Sequence, residues 1–99
     1  MAIVALPSKS GLQIKPNPVR SAGQISFVLS RDSDTNLRIY DVAGRLMRDF
    51  GKKRGSIGVN GVQWDGTDAF GKPVKSGIYF LRLTIAEGEQ LAAKALVVR

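Results

Sequence analysis

Hydrophobic and polar residues alternate with a period of two along most of the chain, the spacing of half-buried β-strands rather than of amphipathic helices. Leu12 and Ile14 alternate with polar neighbours until Pro16-Asn17-Pro18 stops the strand. Ile25, Phe27 and Leu29 share one face of a second strand, with Ser26 and Ser30 opposite, and Leu37 and Ile39 do the same in a third. Asp41-Val42-Ala43-Gly44 reads as a tight turn, because aspartate favours its first position and glycine accepts the positive φ that follows. Leu46 to Phe50 gives a fourth strand, paired with the third as a hairpin. The basic, glycine-bounded segment 51–58 is expected to be a loop.

Val59 to Trp64 makes a fifth strand, and residues 65–73 (Asp-Gly-Thr-Asp-Ala-Phe-Gly-Lys-Pro) form a long turn region rich in strand-stopping residues. A sixth strand is expected from Gly77 to Ala86, with Tyr79, Leu81, Leu83 and Ile85 on one face. Glu87-Gly88-Glu89 turns into a seventh, Gln90 to Val98. Seven short strands with turn signals between them predict an all-β, antiparallel sandwich over residues 11–99, preceded by a linker or cloning remnant over residues 1–10. The 99 residues suffice for one core.

The inward parity of Tyr79 and Trp64 places them in the core, whereas Phe80 falls on the opposite face beside Arg82. If Ala95 and Val97 point inward with Leu91, then Leu96 and Val98 also face outward. An apolar stripe on a terminal strand is a liability unless a partner covers it, so Phe80, Leu96 and Val98 are candidate recognition residues.

Composition narrows the chemistry. The absence of cysteine removes disulfides, thiolate nucleophiles and cysteine metal sites, and the absence of histidine removes Ser–His and Cys–His pairs. The close carboxylate pairs Asp32/Asp34, Asp65/Asp68 and Glu87/Glu89 all fall in expected turns, where acids cap backbone amides. The chain is therefore expected to be no enzyme and to need no cofactor. Asp65 and Asp68 suggest at most a weak calcium contact, since EF-hand spacing is missing. Gly55, Gly58 and Gly61 open no helix and so make no phosphate cradle. Fifteen Lys and Arg against eight Asp and Glu give a net charge of +7. Only Lys52-Lys53-Arg54 forms a run, which fits solvated faces better than a specific nucleic-acid surface. Trp64, Tyr79 and Phe80 leave carbohydrate binding open as an alternative. No stretch reaches the length of a transmembrane helix, and any export leader would lie upstream of residue 1.

One ordered series of motifs is familiar. Asn17-Pro18 is followed by Ile25-x-Phe27-x-Leu29, then Leu37-x-Ile39-Tyr40-Asp41-x-x-Gly44-Arg45. Gly58 and Trp64-Asp65-Gly66 come next, then Gly71-x-Pro73-Val74-x-Ser76-Gly77-x-Tyr79-Phe80-x-Arg82-Leu83, and finally Lys94 with the apolar ending to Arg99. From Leu12 to the end the chain resembles the C-terminal sorting domain of type IX secretion cargo and the related immunoglobulin-like (Ig-like) domain of the flagellar hook-capping protein. Asn60 departs from the family pattern, where many relatives carry histidine. The resemblance implies a seven-stranded antiparallel Ig-like β-sandwich at the end of an exported parent protein. Its implied partners are the outer-membrane secretion translocon, which reads the module, and a surface sorting peptidase, which removes it. The terminal strand, about Leu91 to Arg99, is the part tied to recognition. Gly77, Tyr79 and Lys94 match motif positions and join Phe80, Leu96, Val98 and Arg99 as candidate site residues. A chain ending at Arg99 directly after its last strand suits a signal whose end stays accessible. The alternatives are a structural Ig-like scaffold in a surface or flagellar-cap assembly, and the carbohydrate-binding module.

Overall fold

The alternating apolar positions interleave in space between two sheets. The computed structural model describes residues 11–99, so the expected linker lies outside the described residues. In chain order the elements are β1 (Leu12–Lys15), β2 (Gly23–Leu29), β3 (Ser33–Tyr40), β4 (Leu46–Gly55), β5 (Gly58–Trp64), β6 (Gly77–Ile85), one 3₁₀ turn (Ala86–Gly88) and β7 (Glu89–Val97). They form a three-stranded sheet, β1-β2-β5, against a four-stranded sheet, β4-β3-β6-β7, with every strand pairing antiparallel. The chain is thus an all-β sandwich of seven strands in two antiparallel sheets.

Period-two parity is obeyed almost residue by residue. Leu12 and Ile14, then Ile25, Phe27 and Leu29, face Leu37, Ile39, Leu81, Leu83 and Ile85 across the core, with Trp64 fully buried at one end. At about 25 cal/mol per Å² of apolar surface removed from water, these interdigitating faces are the main driving force for folding. β3 begins earlier than its apolar pair suggests, because inward positions 33 and 35 hold the small polar residues Ser33 and Thr35. Their hydroxyls donate to the carbonyls of Arg31 (3.2 Å) and Lys53 (3.1 Å), which offsets their burial.

The basic segment 51–58 is a strand over most of its length, not the expected loop. β4 continues through Lys52, Lys53 and Arg54, which pair with Asn36, Thr35 and Asp34. The register slips between Asn36 and Arg38, and Gly51 absorbs the slip at φ +81°, a conformation that costs glycine little. The Asp49 Oδ1 atom fixes the bulge by accepting from the Gly51 amide and the Asn36 side chain, both at 2.8 Å. Only Ser56 and Ile57 remain between β4 and β5. The sixth strand ends at Ile85 and the seventh spans Glu89–Val97, each one residue short of its expected C-terminal end.

The hairpin turn at Asp41 is as the sequence indicates. Its Oδ1 accepts from the amides of Ala43 and Arg45 (2.9 Å each), and Oδ2 accepts from Arg45 Nε at 2.8 Å. These bonds favour the ionised carboxylate, the Arg45 amide first among them, and hold its pKa below the ordinary aspartate value. Asp49 is lowered likewise, chiefly by the Asn36 amide and then by the Gly51 N–H.

Groups with a depressed folded pKa stabilise the fold above their unfolded pKa and lose that contribution as pH falls through the folded value. The melting temperature should therefore hold steady from about pH 7 to 5 and fall below about pH 4. Asp41→Asn should lower it at neutral pH and flatten the acid loss, as thermal scans across pH would record.

Candidate functional site

The outward face of the four-stranded sheet gathers side chains that the core does not use. Phe80 stands on β6 between Tyr40 of β3 and Lys94 of β7, and Tyr40 is in turn opposite Leu46. Ile78 faces Leu96 in the adjoining row. Phe80 and Ile78 are each 40% exposed, Leu96 42% and Leu46 51%, so an apolar band crosses four strands in open solvent. Arg82 lies one row further, its guanidinium 5.3 Å from the Tyr40 ring centroid, a cation–π distance. Beside it Arg38 Nε meets Asp49 Oδ2 at 3.1 Å. A shallow hollow of about 300 Å³, lined by Tyr40, Val42, Phe80, Arg82 and Ala92 among others, marks the centre of the band.

The outer edge of β7 borders this face. Past β1 the chain crosses from the three-stranded sheet to the four-stranded one, and the buried Val19 bridges in parallel to Val97. The Val19 N–H donates to the Leu96 carbonyl (2.7 Å), and the Val98 N–H donates to the Val19 carbonyl (2.9 Å). The Asn17 side chain continues the ladder without a strand: its amide donates to the Lys94 carbonyl (3.2 Å), and its oxygen accepts from the Leu96 N–H (3.0 Å). Four edge groups of β7 are thereby occupied, from the Lys94 carbonyl to the Val98 amide.

The candidate residues divide between this surface and the framework behind it. Phe80, Lys94 and Leu96 meet on the outward face. Val98 is half-buried and follows the last strand, tied to Val19. Tyr79 is 6% exposed, set edge-on to Trp64 with ring centroids 6.2 Å apart, and its hydroxyl donates to the Lys75 carbonyl at 2.7 Å. At that exposure it presents almost no surface to a partner, and burial pushes its phenol up, with the Asp41 charge adding to the rise. Gly77 opens β6 at φ +153°. No atom lies within 4 Å of where a Cβ would stand, so backbone conformation alone explains glycine there.

Arg99 does not extend freely beyond the last strand. Its guanidinium donates to the carbonyls of Gly66 and Val74, and its amide donates to Ser76 Oγ at 2.9 Å. The residue latches the long 65–74 turn to the end of β7. Asp65 and Asp68 serve that same turn. Asp65 Oδ1 accepts from the Thr67 hydroxyl and amide and from Arg48, and Asp68 Oδ1 accepts from the amides of Phe70 and Lys72. The Thr67 hydroxyl is the foremost cause holding the Asp65 carboxyl below its ordinary pKa. Among the described residues, no three acidic, histidine or cysteine side chains gather where they could hold a metal.

Sequence reasoning missed both the Asn17 cap and the Arg99 latch. Their partners are main-chain carbonyls and amides and one serine hydroxyl, 23 to 79 residues distant, which no local pattern encodes. The Pro-Asn-Pro spelling signalled the end of a strand but not what the Asn17 side chain would reach.

A family model described as the FlgD Ig-like domain matches residues 14–89. Among solved structures, dimeric latent PorU from Porphyromonas gingivalis is similar at 26% identity and a TM-score of 0.73, over 88% of this chain and 9% of that one. PorZ from the same organism, described as an essential bacterial surface component of the type-IX secretion system, is similar at 22% identity and TM-score 0.65, over 94% and 12%. FlgD from Xanthomonas campestris gives 20% identity and TM-score 0.62, over 86% and 63%. At 22% and 20% identity these likenesses show a shared fold. The chain spans about a tenth of PorU and PorZ and less than two thirds of that FlgD. No curated protein matches it in sequence.

Because Phe80 and Leu96 are partly exposed, Phe80→Ser and Leu96→Ser should each cost about 1–2 kcal/mol in urea unfolding, against more than about 3 for the fully buried Leu81→Ser. Arg99→Ala should cost about 1–2 kcal/mol and speed hydrogen exchange at the Val74 amide, which donates to the Gly66 carbonyl at 3.0 Å.

Proposed function

The chain belongs to the FlgD Ig-like domain family, and from that premise we propose that it is a non-catalytic sorting module, recognised by the type IX secretion translocon as it directs an exported parent protein to the cell surface. The observation that carries this reading is the likeness to one module of PorU, at 26% identity over 88% of this chain but only 9% of PorU. The like fold within PorZ, named as a surface component of the type-IX secretion system, supports the same direction.

The division of residues suits such a role. Trp64, Tyr79, Gly77 and Arg99 build the framework, which leaves Phe80, Lys94 and Leu96 as an exposed band beside the terminal strand. Contact residues of this kind, aromatic and aliphatic with a basic rim, are what protein-recognition surfaces are made from. In this reading the translocon engages that face, the parent protein lies upstream, and a surface peptidase separates the two after passage. No helix among the described residues is long and apolar enough to cross a membrane.

A structural reading is favoured by one specific observation: the family model is that of FlgD, and a FlgD structure is similar over 63% of its own length. In that reading the sandwich serves as a scaffold element of a surface or flagellar-cap assembly, and the outward band meets neighbouring subunits.

The two readings separate in vivo. Residues 10–99 fused to a periplasmic reporter in a type IX-competent bacterium should bring the reporter to the surface, and deletion of the last nine residues should abolish delivery. A folded fusion that stays periplasmic, while a host-native sorting domain is delivered in parallel, would instead favour the scaffold.

A further inference from the structure

The guard along the outer edge of β7 covers only half of it. Because successive residues of an antiparallel strand point their N–H and C=O groups to alternate sides, the even-numbered residues of β7 direct theirs away from β6. Asn17 and Val19 satisfy these groups from the Lys94 carbonyl onward. The Lys94 N–H, and both groups of Ala92 and Gln90, lie before the guard begins, and no further strand pairs there among the described residues.

The other sheet edges carry protection. β4 is slipped twice in register and bears Lys52, Lys53 and Arg54, β1 is four residues long, and β5 opens on Gly58 and is interrupted by Gly61. The Gln90–Ala93 stretch has no charge, proline, glycine or bulge.

Its surroundings specify a ligand. On the outward side, a residue added opposite Ala92 would look past that short side chain to Arg82, the cross-strand partner of Ala92. The Arg82 guanidinium leans over Tyr40 of β3 and would turn toward β7 to meet it. A residue two positions away would stand opposite the exposed Lys94. Both cations favour carboxylates. On the inward side, the half-buried Leu91 and Ala93 pack against the core margin and favour an apolar residue between the two acids. Glu89 stands at the far end, so the preferred acids are confined to the Ala92 and Lys94 positions. A second copy of this chain would bring two bodies of net charge +7 together.

We propose that the open half of the β7 edge binds, by strand addition, an extended segment of another protein whose acidic side chains alternate with apolar ones. Main-chain hydrogen bonds to Gln90, Ala92 and Lys94 supply the attachment, and Arg82 and Lys94 supply the preference for carboxylates. The proposal holds whether the domain is a sorting signal or a scaffold, because it concerns a peptide edge and not delivery.

The test uses the whole 99-residue chain and an acetylated, amidated hexapeptide, Thr-Glu-Val-Glu-Val-Thr, with binding followed by amide chemical shifts and hydrogen exchange. The peptide should protect the Ala92 and Lys94 amides. Its Glu-to-Gln form should bind about two- to tenfold more weakly, the loss expected for one or two exposed ion pairs. Ala92→Pro removes an outward edge N–H, which an edge strand tolerates, and should weaken binding at least about tenfold while the melting temperature shows the variant folded. Arg82→Gln with Lys94→Gln should abolish the difference between the Glu and Gln peptides without preventing strand addition. The proposal is overturned if the hexapeptide does not bind at millimolar concentration, or if its Lys-for-Glu form binds equally well. Protection of the Ala92 and Lys94 amides in concentrated protein without peptide would also overturn it, by assigning the edge to a second copy.

Discussion

Trp64 holds one end of the sandwich together. Its indole is fully buried and meets Tyr79 edge-on, joining the last strand of one sheet to β6 of the other, and its Nε1 donates to the Thr67 carbonyl at 2.9 Å. That bond fixes the path of the 65–74 turn, which places the Gly66 and Val74 carbonyls where the Arg99 guanidinium reaches both. Tyr79 passes the constraint on through its hydroxyl to Lys75, setting the entry to β6. The end of β7, the turn and the start of β6 therefore share one buried aromatic pair, and an indole and a phenol can do this because each combines a large apolar body with one polar atom that finds a partner.

This arrangement explains why most of the motif series in the sequence speaks for the fold, with Phe80 and Lys94 among its outward-facing members. Trp-Asp-Gly, Ser-Gly-x-Tyr and Tyr-Asp-x-x-Gly-Arg are each spelled by a turn or a strand end: Asp65 and Asp41 cap amides, Gly77 supplies a backbone conformation, and Tyr79 is inside. The residues free to meet a partner are their neighbours of opposite parity, Phe80 and Leu96 together with Lys94, whose identities the framework does not dictate. A module that keeps its inner face and varies its outer one can serve unrelated assemblies, which fits a sandwich whose fold is shared with FlgD, PorU and PorZ.

Strand number, parity and the core were legible because each rests on short-range alternation: Leu37 and Ile39, or Leu81, Leu83 and Ile85, declare their face by spacing alone. The extension of β4 was not, since Gly51 and three successive basic residues look like a loop until Asp49 and Asn36 close the bulge from a neighbouring strand. The same holds for the candidate site. Phe80 and Leu96 could be assigned outward by counting, and the structure sets them on one face. The tie of Val98 to Val19, the Asn17 cap and the Arg99 latch are contacts between distant parts of the chain, and they turn the expected free terminus into a bound one.

The position of β7 between two neighbours bears on how the domain would meet a mechanical load. Over its last residues β7 is bonded to β6 on one side and to the Asn17–Val19 segment on the other, all lying along the same axis. Tension applied along β7 loads these bonds in shear, so several must rupture together, whereas a pull at right angles would peel them one at a time. Among the described residues, the half beyond the guard has only one neighbouring strand and gives way at lower force. A pull on this strand would thus meet a stiff end and a compliant one, and its direction would decide whether the sandwich stays intact.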